Sequence, residues 1–331
     1  MSGLDPLGYL SILTWNVSYE ALASQRKIDN YSFLDDHDVL RRGKVPCMRS
    51  SKDPSCYQNI LHFLLHQGSQ YDIVCLVQPS SVLLKDLTKL SSKSVSILKL
   101  CGGGDNANQE ILLIMINQER IPLPSLYQFY YMWHNGDQGY KRAMGILVFR
   151  ELFLVLAVVH LPHPKDKMGQ DCLKQFYLTV HQFMVDHHPD LHGYHIILTG
   201  DFNTETSLPA PWIDRPPRGE GPETETMTAF TLVGSRYSAR ERPLQFAYDR
   251  FIFSQTLVPL EPHVHIIREP ELYQGAQYSD HLPVAFWIQR PISQHSIPVK
   301  TIFTDLPENV PGLNVQVEPP NDNMKFYHHT L

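Results

Sequence analysis

His195–Asn203 reads HIILTGDFN. Its isoleucines and leucine form a short apolar run, and such a run bounded by polar residues predicts a buried strand. The run ends in Gly200-Asp201, with Asn203 two places on. Gly-Asp alone is a common turn dipeptide. A carboxylate at the tip of a buried strand is another matter. It costs several kcal/mol unless it is paired or holds a cation. The reading of this stretch therefore depends on whether other strands end in the same way.

They do. Runs of the same kind occur at Tyr9–Val17, Asp72–Val77, Ile111–Ile116, Ala143–Phe149, Leu152–His160, Tyr248–Phe253 and Leu282–Ile288. The segment AMGILVFRELFLVLAVVHLP predicts a hairpin turning near Arg150–Glu151. SILTWN ends on Asn16, LVLAVVH on His160 and DIVCLVQ on Gln78. QFAYDRFIF carries Asp249, and YSDHLPVAFW opens with Asp280 and His281. Each residue has an ordinary explanation by itself. Asn16 suits an Asx turn, His160 a satisfied core histidine, Asp249-Arg250 a local ion pair and Ser279-Asp280 a cap. Their recurrence at strand tips argues for a site.

Two stretches carry helical spacing. SCYQNILHFLLHQ places Ile60, Phe63 and Leu64 on one face. MGQDCLKQFYLTVHQFMVDHH places Leu173, Phe176, Tyr177, Val180, Phe183 and Met184 together. Many strands with few helices predict an α/β protein of two packed sheets with helices outside. Residues 1–290 form the expected domain. Residues 291–331 are expected to be a Pro-rich C-terminal tail, packed on the body through Ile302–Phe303 or Phe326–Tyr327.

Composition narrows the class. Charged residues are 19% and hydrophobic ones 43%, as in a soluble globular protein. A net charge of −6 argues against tight non-specific binding of nucleic acid. The five cysteines include no CxxC pair, which disfavours a zinc site and fits a reducing compartment. No apolar run approaches the roughly 18 residues of a membrane helix, and the start of the chain lacks the pattern of a signal peptide. The expectation is an intracellular protein of cytoplasm or nucleus, not secreted and with no membrane span.

In order along the chain stand TWNV, CLVQP, VVHLP, GDFN, AYDRFIF and SDHLPV. This series resembles the endonuclease/exonuclease/phosphatase superfamily, the deoxyribonuclease I-like proteins. In that superfamily a strand ends in Asn, another in Leu-Gln-Glu and another in His. Gly-Asp-Xaa-Asn, an Asp before an aromatic or basic residue, and a final Ser-Asp-His follow. The resemblance spans Ser11 to Ile288. WNVSYEAL and the insertion after it have a looser likeness to members from large DNA viruses.

The resemblance implies a four-layer sandwich of two mostly antiparallel β-sheets flanked by helices. It also implies cleavage of phosphate esters by attack of water on phosphorus, dependent on Mg2+ or Mn2+. Asp201 would position or deprotonate the water, and Asn203 and His160 would donate to the phosphate. His281, oriented by Asp249, would act as acid or electrostatic clamp. Glu110, opening EILLIM, would support His160. Asn16, Gln78 and Asp280 would hold the metal. Superfamily substrates include DNA, RNA tails, phosphoinositides, sphingomyelin and protein–DNA phosphotyrosyl links. Nucleic acid is the leading expectation, and the aromatics of YQFYYMWHNGDQGYKR (Tyr127–Arg142) are candidates for stacking on bases.

One position departs from the pattern. Gln78 stands where the superfamily has a metal-ligand Glu, and no acid lies between Asp72 and Asp86. An amide brings an oxygen but no charge to a hard dication. Two readings follow: a hydrolase with weakened metal affinity, or a catalytically silent binding module on the same fold.

Overall fold

The chain is described here from a computed structural model covering residues 8–17, 32–34, 40–42, 55–79, 81–90, 94–100, 111–134, 142–162, 169–187, 191, 193–205, 208, 211–215, 229–230, 244–267, 281–290, 313–317 and 326–327. The first half contains β1 (Tyr9–Asn16), β2 (Ser32–Leu34), β3 (Leu40–Arg42), α1 (Ser55–His66), β4 (Ile73–Val77), α2 (Ser81–Leu90), β5 (Val95–Leu100), β6 (Leu112–Asn117) and β7 (Leu126–His134). Then come β8 (Arg142–Phe149), β9 (Leu154–His160), α3 (Gly169–Asp186), β10 (His195–Asp201), β11 (Trp212–Arg215), β12 (Ala229–Phe230) and β13 (Leu244–Phe246). The chain ends with β14 (Asp249–Ser254), β15 (His263–Ile266), β16 (Val284–Gln289), β17 (Leu313–Val317) and β18 (Phe326–Tyr327).

Two 7-stranded sheets result, ordered β15-β16-β1-β4-β6-β5-β18 and β11-β14-β10-β9-β8-β7-β17. Their plans match. Every pair is antiparallel except β1 with β4 and β9 with β10, which occupy the same central place in each sheet. The expected mostly antiparallel sheets are therefore present. β2–β3 and β12–β13 are separate short hairpins.

Alternation along each strand sorts its residues between two faces. Leu10, Ile12, Ile73, Cys75 and Val77 of the first sheet meet Leu154, Leu156, Val158, Ile197, Phe251 and Phe253 of the second in one buried core. The opposite faces take the helices. Leu13, Trp15, Val74 and Leu76 pack under α1 and α2. Val155, Val159, Ile196 and Leu198 pack under α3 through Leu173, Phe176, Tyr177, Val180 and Phe183. This is the predicted four-layer order, and both predicted helices bury the predicted residues.

The structure adds elements that the periodicity did not reveal. α2 buries Leu83, Leu84 and Leu87. The aromatic stretch forms β7, where Phe129, Tyr130 and Tyr131 are buried and Tyr127 and Trp133 pack against the core. Phe129, Tyr130 and Tyr131 therefore belong to the interior, while Tyr127 and Trp133 keep part of their surface exposed and Tyr140 lies outside the described residues. The Pro-rich stretch supplies a strand to each sheet: β17 pairs with β7, and β18, which is Phe326–Tyr327, pairs with β5. Ile302–Phe303 lies outside the described residues.

Candidate functional site

The inner rows of the two sheets run apolar along their length and end polar at one edge. In β1 the row Leu10, Ile12, Thr14 ends on Asn16. In β9 the row Leu154, Leu156, Val158 ends on His160. In β10 Ile197 and Thr199 lead to Asp201, and in β14 Asp249 begins the row of Phe251 and Phe253. The register sets Asp201 opposite both His160 and Asp249. Packing of the two sheets then brings Asn16 onto Asp201 from the other side.

Asp201 is the hub and is 1% exposed. Its Oδ2 accepts from Asn16 Nδ2 at 2.7 Å and lies 3.4 Å from His160 Nε2 and 3.8 Å from His281 Nε2. Its Oδ1 accepts from the Asn203 backbone N–H at 2.9 Å. Burial pushes the Asp201 carboxyl upward. His281, His160 and the hydrogen bonds from Asn203 and Asn16 outweigh it and hold the group below the usual carboxylate range. His281 Nδ1 lies 2.7 Å from Asp249 Oδ2. The Asn203 amide also donates to the Leu161 carbonyl at 2.8 Å, so one of its two amide protons is spent on the fold.

Local backbone explains why the motif is Gly-Asp-Phe-Asn. Gly200 has φ +125°, and a Cβ there would stand 2.0 Å from the Val159 carbonyl oxygen. Only glycine permits this approach of β9 to β10. Asn203 is left-handed, with φ 47°, a conformation asparagine tolerates better than most residues. Beneath the loop, the buried Arg250 donates to the Thr204 carbonyl at 2.8 Å and to Asp214 at 2.7 Å. Its guanidinium lies 5.1 Å from the Phe202 ring centroid. Arg250 thus pairs with Asp214 rather than with its neighbour Asp249, whose carboxylate goes to His281. Trp15 Nε1 donates to the His281 carbonyl at 2.8 Å and fixes the segment that leads into β16. Tyr248 borders the site; burial, then the charges of Asp201 and Glu205, push its hydroxyl up to about 12.

The structure therefore brings Asn16, His160, Asp201, Asn203, Asp249 and His281 together. Glu110 and Asp280 lie outside the described residues. Gln78 follows β4 directly; Val77 lies opposite Asn16, and its carbonyl accepts from the Val17 N–H at 3.0 Å. Gln78 is 4% exposed and left-handed, with φ 54°. Such a backbone costs about 1–2 kcal/mol for a non-glycine residue, and strain of this kind gathers at sites. Among the described residues, no hydrogen bond joins its side chain to Asn16 or Asp201.

The described group that converges closely enough to hold a cation is Asp201, Asp249 and His281. Their ligand atoms lie within 4.8 Å of one another. Of the expected ligands, Asn16 stands against this group through Asp201, Gln78 follows the neighbouring β4, and Asp280 lies outside the described residues. Two carboxylates with an imidazole form an oxygen-rich donor set suited to a hard or borderline dication. Asn16 must turn its NH2 toward the ionised Asp201, which leaves its carbonyl oxygen as its acceptor.

Sequence reasoning missed Arg142. Its Nη1 lies 3.1 Å from His160 Nδ1. The hairpin turning at Arg150–Glu151 carried the available signal, since folding it brings the start of β8 beside the end of β9.

No family model matches the chain. No curated protein matches it either. Solved structures do. TDP2 of D. rerio, complexed with a single strand DNA product, is 18% identical with a TM-score of 0.53, over 85% of this chain and 99% of that one. An endonuclease/exonuclease/phosphatase family protein from Bacteroides thetaiotaomicron is 12% identical with a TM-score of 0.55, over 87% and 98%. A mannosyl-6-phosphatase from the same species is 12% identical with a TM-score of 0.53, over 84% and 98%. Likeness at these identities establishes a shared fold.

Proposed function

We propose that this chain, which has the deoxyribonuclease I-like fold of endonuclease/exonuclease/phosphatase proteins, hydrolyses phosphate esters by attack of water on phosphorus. The observation that carries the reading is the convergence of Asn16, His160, Asp249 and His281 on one buried carboxylate, Asp201. A buried carboxylate ringed by donors and imidazoles suits orientation of a nucleophile beside a developing negative charge.

Asp201 is held low, so it is a weak base; its task is to orient the attacking water and anchor both histidines. His160 Nε2–H and the second amide proton of Asn203 would donate to phosphoryl oxygens. His281, braced by Asp249, would carry the proton or positive charge that the leaving side needs. A divalent cation, Mg2+ or Mn2+, would be held by Asn16, Gln78 and Asp280, with carboxylate oxygens of Asp201 and Asp249 as further donors. When bound it would polarise the phosphate.

Nucleic acid is the proposed substrate class. The DNA-bound neighbour supports it; the net charge of −6 and the burial of the β7 rings weigh toward brief rather than tight binding. A phosphoinositide or other phosphate ester is the alternative, supported by the phosphatase neighbour. We place the protein inside the cell, in cytoplasm or nucleus. The free, buried thiols of Cys75 and Cys172 accord with a reducing compartment, and among the described residues no helix is long and apolar enough to cross a membrane.

Gln78 favours a second reading, a binding module without turnover. Purified protein with Mg2+ or Mn2+ should cleave bis-nitrophenyl phosphate and a single-stranded oligonucleotide, and Asp201→Ala should abolish both. Silence in the wild type with turnover in Gln78→Glu would instead support the binding module.

A further inference from the structure

The helix α1 carries a second group of nitrogen ligands, on the side away from its core contacts. Ile60, Phe63 and Leu64 are buried, and Phe63 stands edge-on to Trp15 with ring centroids 5.2 Å apart. That packing fixes which way the helix is turned. His62 and His66 fall on its other side, and both are exposed. They are four residues apart, so one lies above the other on a single face. Their ring centroids are 4.2 Å apart, and the ring planes make an angle of 42°. Two side chains that already meet need little further ordering to grip one ion between them.

We propose that His62 and His66 form a chelating site for a borderline transition-metal dication of the Zn2+, Ni2+ or Cu2+ kind. An imidazole nitrogen binds zinc at about 2.0–2.1 Å, so two of them at tetrahedral angles stand roughly 3.3 Å apart. Rings this close reach that spacing by turning about their side-chain bonds. Imidazole suits these ions, whereas Mg2+ and Mn2+ favour oxygen. The pair and the Asp201 cluster therefore select different metals. The surroundings favour a cation. Residues 55–71 contain no lysine or arginine. His66 lies in the last turn of α1, where the carbonyl end of the helix dipole attracts positive charge. That end is tied down, because the Gln70 and Ser69 side chains donate to the His66 carbonyl at 3.2 and 3.4 Å. Helix-borne zinc proteases use the same spacing with a glutamate after the first histidine as their base. Here that place is taken by Phe63, sunk in the core, so the pair holds a metal without a base for hydrolysis. Among the described residues no third His, Cys, Asp or Glu converges on the pair, and water fills the remaining coordination positions. The inference does not rest on the hydrolase reading.

The test is a Zn2+ titration of the full chain, free of any polyhistidine tag and labelled with 15N-histidine, followed by NMR. His62→Gln and His66→Gln give the assignments. Both imidazoles should shift together and saturate at one Zn2+ per pair, whatever happens at His281. Either single variant should weaken binding at the remaining histidine on the order of 10²-fold, since the second imidazole adds as an intramolecular ligand. Cu2+ should displace Zn2+ from the pair, and a large excess of Mg2+ should leave both rings unmoved. Both positions are exposed, so circular dichroism should show both variants folded. If one variant failed to fold, the wild-type titration would still decide. Movement of one ring without the other, or none at saturating Zn2+ elsewhere in the protein, would overturn the proposal. So would unchanged affinity in a folded single variant, or an equal response to Mg2+. Failure of the hydrolase reading would appear separately, as absent turnover of phosphate esters with this titration intact.

Discussion

Two carboxylates are buried near opposite ends of the sandwich, and they keep different company. Asp72, just before β4, is 0% exposed. Its Oδ2 accepts from the Ser11 N–H at 2.7 Å and the Ser11 hydroxyl at 3.0 Å. Arg290 lies 3.0 Å and Arg120 3.7 Å from it. Asp201, at the end of β10, has histidines and amides instead. Guanidinium charge is permanent, whereas imidazole charge is conditional. The first arrangement fastens a structure. The second surrounds its carboxylate with groups whose charge is not fixed.

The widest separation between the two should come from their asparagine variants. Asp201→Asn should lower turnover by on the order of 10³–10⁴-fold, as loss of a central catalytic carboxylate does, in a protein that still folds. Asp72→Asn should leave turnover per folded molecule unchanged. It should cost about 3 kcal/mol of stability, because it strands two arginines over a neutral group; urea melts beside kinetics read both arms. Gly200→Ala should also cost about 3 kcal/mol, from the positive φ and the collision with Val159, and circular dichroism melting would measure it.

The pH dependence sharpens the contrast. A carboxyl held low in the folded state contributes stability at pH above its unfolded value of about 3.9. That stability is lost as pH falls through the folded value. Acid unfolding of the wild type should therefore steepen below the ordinary carboxylate range, and Asp201→Asn should flatten that limb. The smallest effect is expected at the edge of the site: Gln78→Glu should tighten Mg2+ binding about tenfold by adding one charge. Calorimetric titration with the metal alone would check it.

The layers and the hub were legible in the sequence because they are written locally. Alternating apolar rows that stop at Asn16, His160 and Asp201 declare both a core face and a polar rim. Chain order then paired GDFN with the Ser-Asp-His at Asp280–His281. What escaped was decided by distant partners. β17 and β18 are short segments in a Pro-rich stretch, and they become strands because β7 and β5 offer open edges. The rings of β7 look the same in sequence whether they face a base or a core; only the second sheet's place in the sandwich buries them. Arg142 is one basic residue ahead of an apolar run until the hairpin register sets it against His160.

The place of β1 in its sheet bears on how the protein is made. Tyr9 pairs with Gln289, far downstream in the chain. At ordinary rates of synthesis that interval is on the order of tens of seconds. Through it, one flank of a central strand waits for its neighbour, and His281 arrives just ahead of β16. The nascent chain can complete the second sheet through β14 well before the first. The cluster around Asp201 is completed only when His281 has been made, so a chain stopped between β14 and β16 would hold the Asp201–Asp249 pair without the imidazole that joins them.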